Sequence, residues 1–232
     1  MLGNGGRDAL ASRRLFAVDY SDTPNAQLSG GGKVAAELTL LLGAVLPFIA
    51  SLVLKSFDTT EETLQWARDN STRAEIGTVL GLLAVPFLLG GVVVYWLLTR
   101  DATPRLAWIA AGSLTVGYVG LAATHGSQAI AFALASESDL DLSTVTKAIE
   151  ANTVPKVAEA LMTFGGWLFG VLAGAAAFVR SPAAPSAAAL FFVGAPASLL
   201  LFDQAAIGTG LWLVGSAIVA WTIYSHRPAG GT

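Results

Sequence analysis

Residues 183–224 read AAPSAAALFFVGAPASLLLFDQAAIGTGLWLVGSAIVAWTIY, and the single charge, Asp203, sits near the middle beside Gln204. As one helix this run of about 40 residues would reach about 60 Å at 1.5 Å per residue. A bilayer offers roughly 30 Å of hydrocarbon. The stretch therefore predicts a helical hairpin: spans at Ala183–Phe202 and Ala205–Tyr224, turning at Asp203, Gln204 and the Gly208 region. Four more apolar runs precede it, at Val34–Leu54, Ile76–Leu98, Leu106 to about Ala131, and Val157–Val179. The expected fold class is all-α: a polytopic membrane protein built as a six-transmembrane-helix bundle.

Composition points the same way. Of the 232 residues, 54% are hydrophobic and only 12% charged, with a mean hydropathy of +0.63. Soluble domains carry about 25% charged residues, so this chain has too few to cover a water-facing surface. A disordered chain would need the opposite balance. The absence of cysteine excludes disulfides, thiolate nucleophiles, Fe–S clusters and cysteine-ligated zinc. A net charge of −3 gives no basic footprint for nucleic acid. Two histidines, His125 and His226, cannot supply a bis-histidine haem on facing helices or a three-histidine zinc site. No phosphate-binding P-loop, Gly-x-Ser-x-Gly elbow or His-Glu-x-x-His motif is present. No cofactor, metal or catalytic residue is expected, and the reading leans away from an enzyme.

Residues 1–33 are polar and glycine-rich. They read as a disordered cytoplasmic tail with a short helix at most near Ala9–Phe16, because the first apolar run starts too late for a signal peptide. Residues 34–224 form the membrane domain and 225–232 a short tail. An even span count puts Arg7, Arg13, Arg14, Lys33, Arg100, Arg105, Arg180 and Arg227 on one side. Lys55, Arg68, Arg73, Lys147 and Lys156 fall on the other. The excess favours cytoplasmic termini in the cell membrane.

The two long loops lie on the opposite, outer face, and each predicts a short amphipathic helix. In the first, Thr59 or Thr60 caps a helix with Glu61 and Glu62 in its first turn and Leu64 and Trp66 as anchors. In the second, Ser143 caps a helix that places Val145 and Ile149 on one face.

Within the spans, Gly77 and Gly81, and Gly166, Gly170 and Gly174, recur every four residues. Such stripes let helix backbones approach closely in lipid, within the bundle or between copies. Pro47, Pro86 and Pro196 lie inside apolar runs and predict kinks. Glu37 lies one turn into the first span, in i, i+4 register with Lys33. The third span outruns the bilayer. It brings Thr124, His125, Ser127 and Gln128 to an outer layer that also receives Lys55, Glu75, Glu159, Asp203 and Gln204. Two readings fit this layer. Polar groups collect where helices leave lipid because they cost least there, or His125, Gln128, Glu75, Glu159, Asp203 and Gln204 line a pocket that binds a ligand.

The outer helical segment at Thr60–Asn70 and the long third span at Leu106–Leu134 resemble uncharacterised bacterial six-helix integral membrane proteins. The resemblance is one of topology alone over residues 34–224, and it carries no site residues with it. The leading expectation is a non-enzymatic membrane protein that binds a small or lipidic ligand, or a partner, through the outer layer. A small secondary carrier and a scaffold subunit, as a homo-oligomer or with another membrane protein, are the alternatives. The bilayer itself is the one partner expected throughout.

Overall fold

The computed structural model describes residues 30–225 apart from 56, 58, 138, 152, 203 and 204. Among these the chain is helical, with no strand. In lipid a backbone has no water to bond to, so an isolated segment crosses as a helix or not at all. Helix α1 spans Gly30–Val53, α2 Thr60–Asp69, α3 Ser71–Thr99 and α4 Pro104–Ser136. Then come α5 at Leu142–Ala151 and α6 at Thr153–Ala160. A π-helical turn at Leu161–Gly166 joins α6 to α7 at Trp167–Arg180. Helices α8, Ser186–Phe202, and α9, Ala205–Ser225, complete the order.

Five stretches are long and apolar enough to cross a membrane: 31–53, 71–99, 104–136, 157–180 and 205–225. Helix α8 has 17 residues, about 25 Å, and its apolar run is shorter than the others. The fold is thus all-α and membrane-like, with the expected sixth segment present as this shorter helix. Helix α4, at 33 residues, reaches about 50 Å and overruns any hydrocarbon core. The tails at 1–29 and 226–232 lie outside the described residues, as do the short helix expected at Ala9–Phe16 and the hairpin residues Asp203 and Gln204.

The long helices pack as a closed ring. Helix α1 lies against α3, α3 against α4, α4 against the π turn and α7, α7 against α8, α8 against α9, and α9 back against α1. Only 28–44% of each spanning window is buried inside the protein. Outward-facing Leu190, Trp221, Leu161 and Phe169 are 66–77% exposed, which water would penalise and acyl chains do not. Helices α1, α3 and α8 continue through Pro47, Pro86 and Pro196.

Among the glycines of the described residues, the closest backbone-to-backbone approach joins α4 to the fourth span. A Cβ on Gly117 would lie 2.6 Å from Trp167 N, one on Gly120 2.7 Å from Thr163 N, and one on Gly170 2.7 Å from Leu114 N. From the other side, a Cβ on Gly166 would sit 2.6 Å from Gly117 N and 2.8 Å from Ser113 O. Backbone touches backbone here, so neither side can yield by turning a side chain. Gly77 faces the Leu54 side chain and Gly81 the His125 ring, whereas Gly174 meets nothing nearer than Ala110 Cβ at 3.8 Å.

Gly166→Ala is expected to lower stability by about 1–3 kcal/mol, the range for overpacking a filled interior. Gly112→Ala, at a position with nothing within 4 Å, should be neutral or slightly stabilising. Thermal unfolding of the two variants in detergent checks the contrast; equal melting temperatures would contradict the packing.

Candidate functional site

The bundle interior is closed at the end that carries Arg100, Arg105 and Arg180. Tyr95 of α3 packs against Phe178 at 5.5 Å, Phe192 at 5.3 Å and Trp212 at 6.2 Å between ring centres. Phe192 meets Trp212 at 4.6 Å and Phe178 at 5.6 Å. Four helices thus supply one aromatic plug. The Tyr95 hydroxyl is within 3.2 Å of Ser216 Oγ, which satisfies a polar group that would otherwise be costly in a dry interior. Cavities of only about 20 and 10 Å³ adjoin the plug, each holding a water molecule at most. Tyr118, 3% exposed, lines the smaller one, and its hydroxyl makes no hydrogen bond.

Toward the other end, the polar residues expected to form a layer are placed individually. His125 sits half-buried with its ring over Gly81, and Nδ1 lies 3.0 Å from Gln128 Oε1. Ser127 Oγ donates to Glu159 Oε1 at 2.7 Å, tying α4 to α6. Thr124 and Thr163 hydroxyls approach to 3.5 Å. Glu75 is exposed on α3. Among the described residues, no three His, Asp or Glu side chains gather closely enough to hold a metal ion. Asp203 and Gln204, the remaining members of the expected set, lie outside the described residues. Three of the predicted residues are therefore engaged locally: His125 with Gln128, and Glu159 with Ser127. Of the mid-span polar groups, Thr115 bonds back to Ala111 O at 2.8 Å and Thr209 lies 2.8 Å from Ser51 Oγ.

Beyond this layer the chain builds a helical cap. The last turns of α4 project past the bundle, and α2 and α5 fold against them. Leu64, Trp66, Ala67, Ala74, Phe132, Ala135, Leu142 and Val145 form a second apolar core, distinct from the one inside the ring. Its keystone is Arg68. Nε donates to Ala135 O at 2.6 Å, and the guanidinium reaches Leu140 O at 2.8 Å and Glu137 O at 3.4 Å. A helix C-terminus leaves carbonyls unsatisfied and carries partial negative charge, and Arg68 meets both needs for α4. Sequence reasoning placed Arg68 among the outer charges but could not see these acceptors. The one available signal was a basic residue in the last turn of a predicted helix.

The caps of the short helices follow the sequence with one shift. Thr59 Oγ1 accepts from Glu62 N at 3.2 Å. For α5, Asp141 rather than Ser143 is the capping acceptor: its carboxylate takes hydrogen bonds from the Ser143 hydroxyl and from Thr144 N at 3.2 Å. The Ser143 hydroxyl, and then the Thr144 hydroxyl, which donates at 3.1 Å, hold the exposed Asp141 carboxyl below its ordinary value of 3.8. A lowered folded value means that the cap stabilises α5 fully above about pH 3.8, then weakens as pH falls through the folded value. Amide exchange at Thr144 and Val145 should accelerate over that range in the wild type. In Asp141→Ala it should already be fast at neutral pH.

Replacing Arg68 by Gln should loosen the cap by about 1–3 kcal/mol, because the part-buried Ala135 carbonyl and the exposed Glu137 and Leu140 carbonyls lose a charged donor. Hydrogen exchange should rise across residues 131–150 and stay unchanged in α9. A uniform rise through the bundle would mean that Arg68 serves the whole fold instead.

The cap, the aromatic plug and the glycine-lined contact are the protein's distinguishing features. In comparisons with known proteins, the chain matches no family model, no curated protein and no solved structure.

Proposed function

We propose that this chain is a six-span, non-enzymatic protein of the cell membrane that binds a partner protein through its outer cap, with termini in the cytoplasm. The observation that carries the reading is the cap's separate construction. A chain needing only to cross the bilayer has no use for a second apolar core, or for an arginine that fastens it to the end of α4. The outer surface of the cap is acidic, with Glu61, Glu62, Asp69, Glu137 and Glu150 exposed. Such a surface suits a basic segment of a partner. Helix α8 counts as the sixth span because it packs between α7 and α9, both of which belong to spanning stretches.

A small carrier is the second reading. It is favoured by the prolines inside α1, α3 and α8, by the π turn, and by the unpartnered Tyr118 hydroxyl beside a central cavity. Against it, the aromatic plug fills the route across the bundle.

Two measurements on the cysteine-free chain separate these readings. Lys147→Cys and Ser186→Cys, both exposed, report topology: an impermeant thiol reagent should label the first from outside the cell and not the second. Labelling of both, or of the second alone, would overturn the six-span arrangement or its orientation. A photo-crosslinking residue at Glu62 should capture a protein whose yield falls when Glu61, Asp69 and Glu150 are neutralised together. Crosslinks to lipid alone would sink the partner reading and leave the carrier.

A further inference from the structure

Helices α4 and α7 do not stay in contact along their length. At Gly117, Gly166 and Gly170 an added Cβ would lie 2.6–2.7 Å from the opposing backbone, but at Gly174 the nearest atom is Ala110 Cβ at 3.8 Å. The pair opens toward the end where α7 finishes at Arg180. The larger cavity lies in this opening, walled by Ala107, Ala110, Ala111 and Gly174 with Trp96 of α3 beside them. Trp96, Ala111 and Gly174 are half-buried and form its mouth. The Trp96 indole N–H is buried there and makes no hydrogen bond.

The rim above this mouth is basic and aromatic. The Arg100 guanidinium stacks 4.7 Å above the Trp96 ring, and Trp96 lies 5.2 Å from Trp108. Arg105 is one turn before Trp108 on α4, and both are exposed. Ser181 Oγ donates to Leu98 O at 2.7 Å, which holds Arg180 beside the end of α3. Among the described residues, the acidic groups at this end are Asp101, 3.5 Å from Arg100 Nε, and Glu37 on α1. Stacking engages the faces of a guanidinium, while its N–H donors lie in the plane and suit phosphate oxygens. Tryptophan favours the headgroup level of a bilayer.

We propose that Arg100, Arg105 and Arg180 bind the phosphate of an anionic diacyl phospholipid in the leaflet on their side. One acyl chain lies against Trp108 and along the mouth between α4 and α7. The occupant is a lipid because the mouth is apolar and lies between two membrane-length helical stretches, and it is anionic because three arginines from three adjacent helices stand at the end toward which the pair opens. The chain runs along the groove rather than into it, since the enclosed space is only about 20 Å³. This site is at the opposite end from the cap and does not rest on the partner reading.

The test is native mass spectrometry of the full-length protein in detergent, titrated with phosphatidylglycerol or with phosphatidylcholine of the same chains. Phosphatidylglycerol should be retained at lower concentration. Arg105→Gln and Arg180→Gln should each weaken that retention by about fivefold, and Trp108→Ala should shorten the lifetime of the bound species. Arg73→Gln, an exposed arginine at the cap end, should leave it unchanged. Equal retention of the two lipids, unchanged retention in the rim variants, or an equal loss in Arg73→Gln would each overturn the proposal.

Discussion

Gly117 and Gly120 of α4 hold that helix against the backbone of Gly166 and its neighbours so closely that not even a methyl group fits between them. In lipid no hydrophobic force drives helices together, because acyl chains solvate leucine as well as another helix does. What remains is dispersion between atoms in contact, and only small residues bring whole backbones into that range. The π turn at Leu161–Gly166 belongs to the same contact, since it sets the backbone of Thr163 and Trp167 against Gly120 and Gly117. This crossing pins α4 near its middle. Residues Thr124–Ser136 then extend past the contact, and the exposed end of a helix this long needs cover. The cap and Arg68 provide it.

Most of the fold is legible from length alone. Apolar runs of known rise per residue locate every long helix, and the charge at Asp203 argues that the last run is broken. The glycine stripe on the fourth span was visible too, but its partners Gly117 and Gly120 were not singled out. They lie three residues apart and so fall outside the four-residue repeat of the other stripes. The π turn leaves no signature in the pattern of apolar residues, because an unbroken apolar run reads the same with one residue more or fewer per turn. Arg68 shows why a clamp is hard to foresee: its acceptors are main-chain carbonyls 67 to 72 residues away, and any sequence has carbonyls.

The grouping within the polar layer was less legible. The layer's composition and level followed from span lengths, but grouping its members required the rotation of each helix about its axis. Rotation is set by contacts such as Gly81 against the His125 ring, and a spacing of four on α3 says nothing of which α4 residue will meet it. The structure gives His125 to Gln128 and Glu159 to Ser127. Each of these bonds is local to its pair, and the remaining members Asp203 and Gln204 lie outside the described residues.

The two ends of the bundle are chemically unlike, and the difference follows from how each is closed. At one end the connections at 100–103 and 181–185 are short, so closure comes from inside, by Tyr95, Phe178, Phe192 and Trp212. The surface there is left to arginines and tryptophans, groups suited to headgroups. At the other end α4 projects, and closure comes from outside, by helices whose apolar faces are consumed in a core of their own. The faces left over are mostly acidic, and a bilayer surface rich in phosphate repels them. On the proposed reading, an acidic cap carried on an overlong helix suits water and proteins, whereas the arginine end suits lipid headgroups. The chemistry of each surface follows from the geometry that closes it, and both trace back to where α4 is pinned.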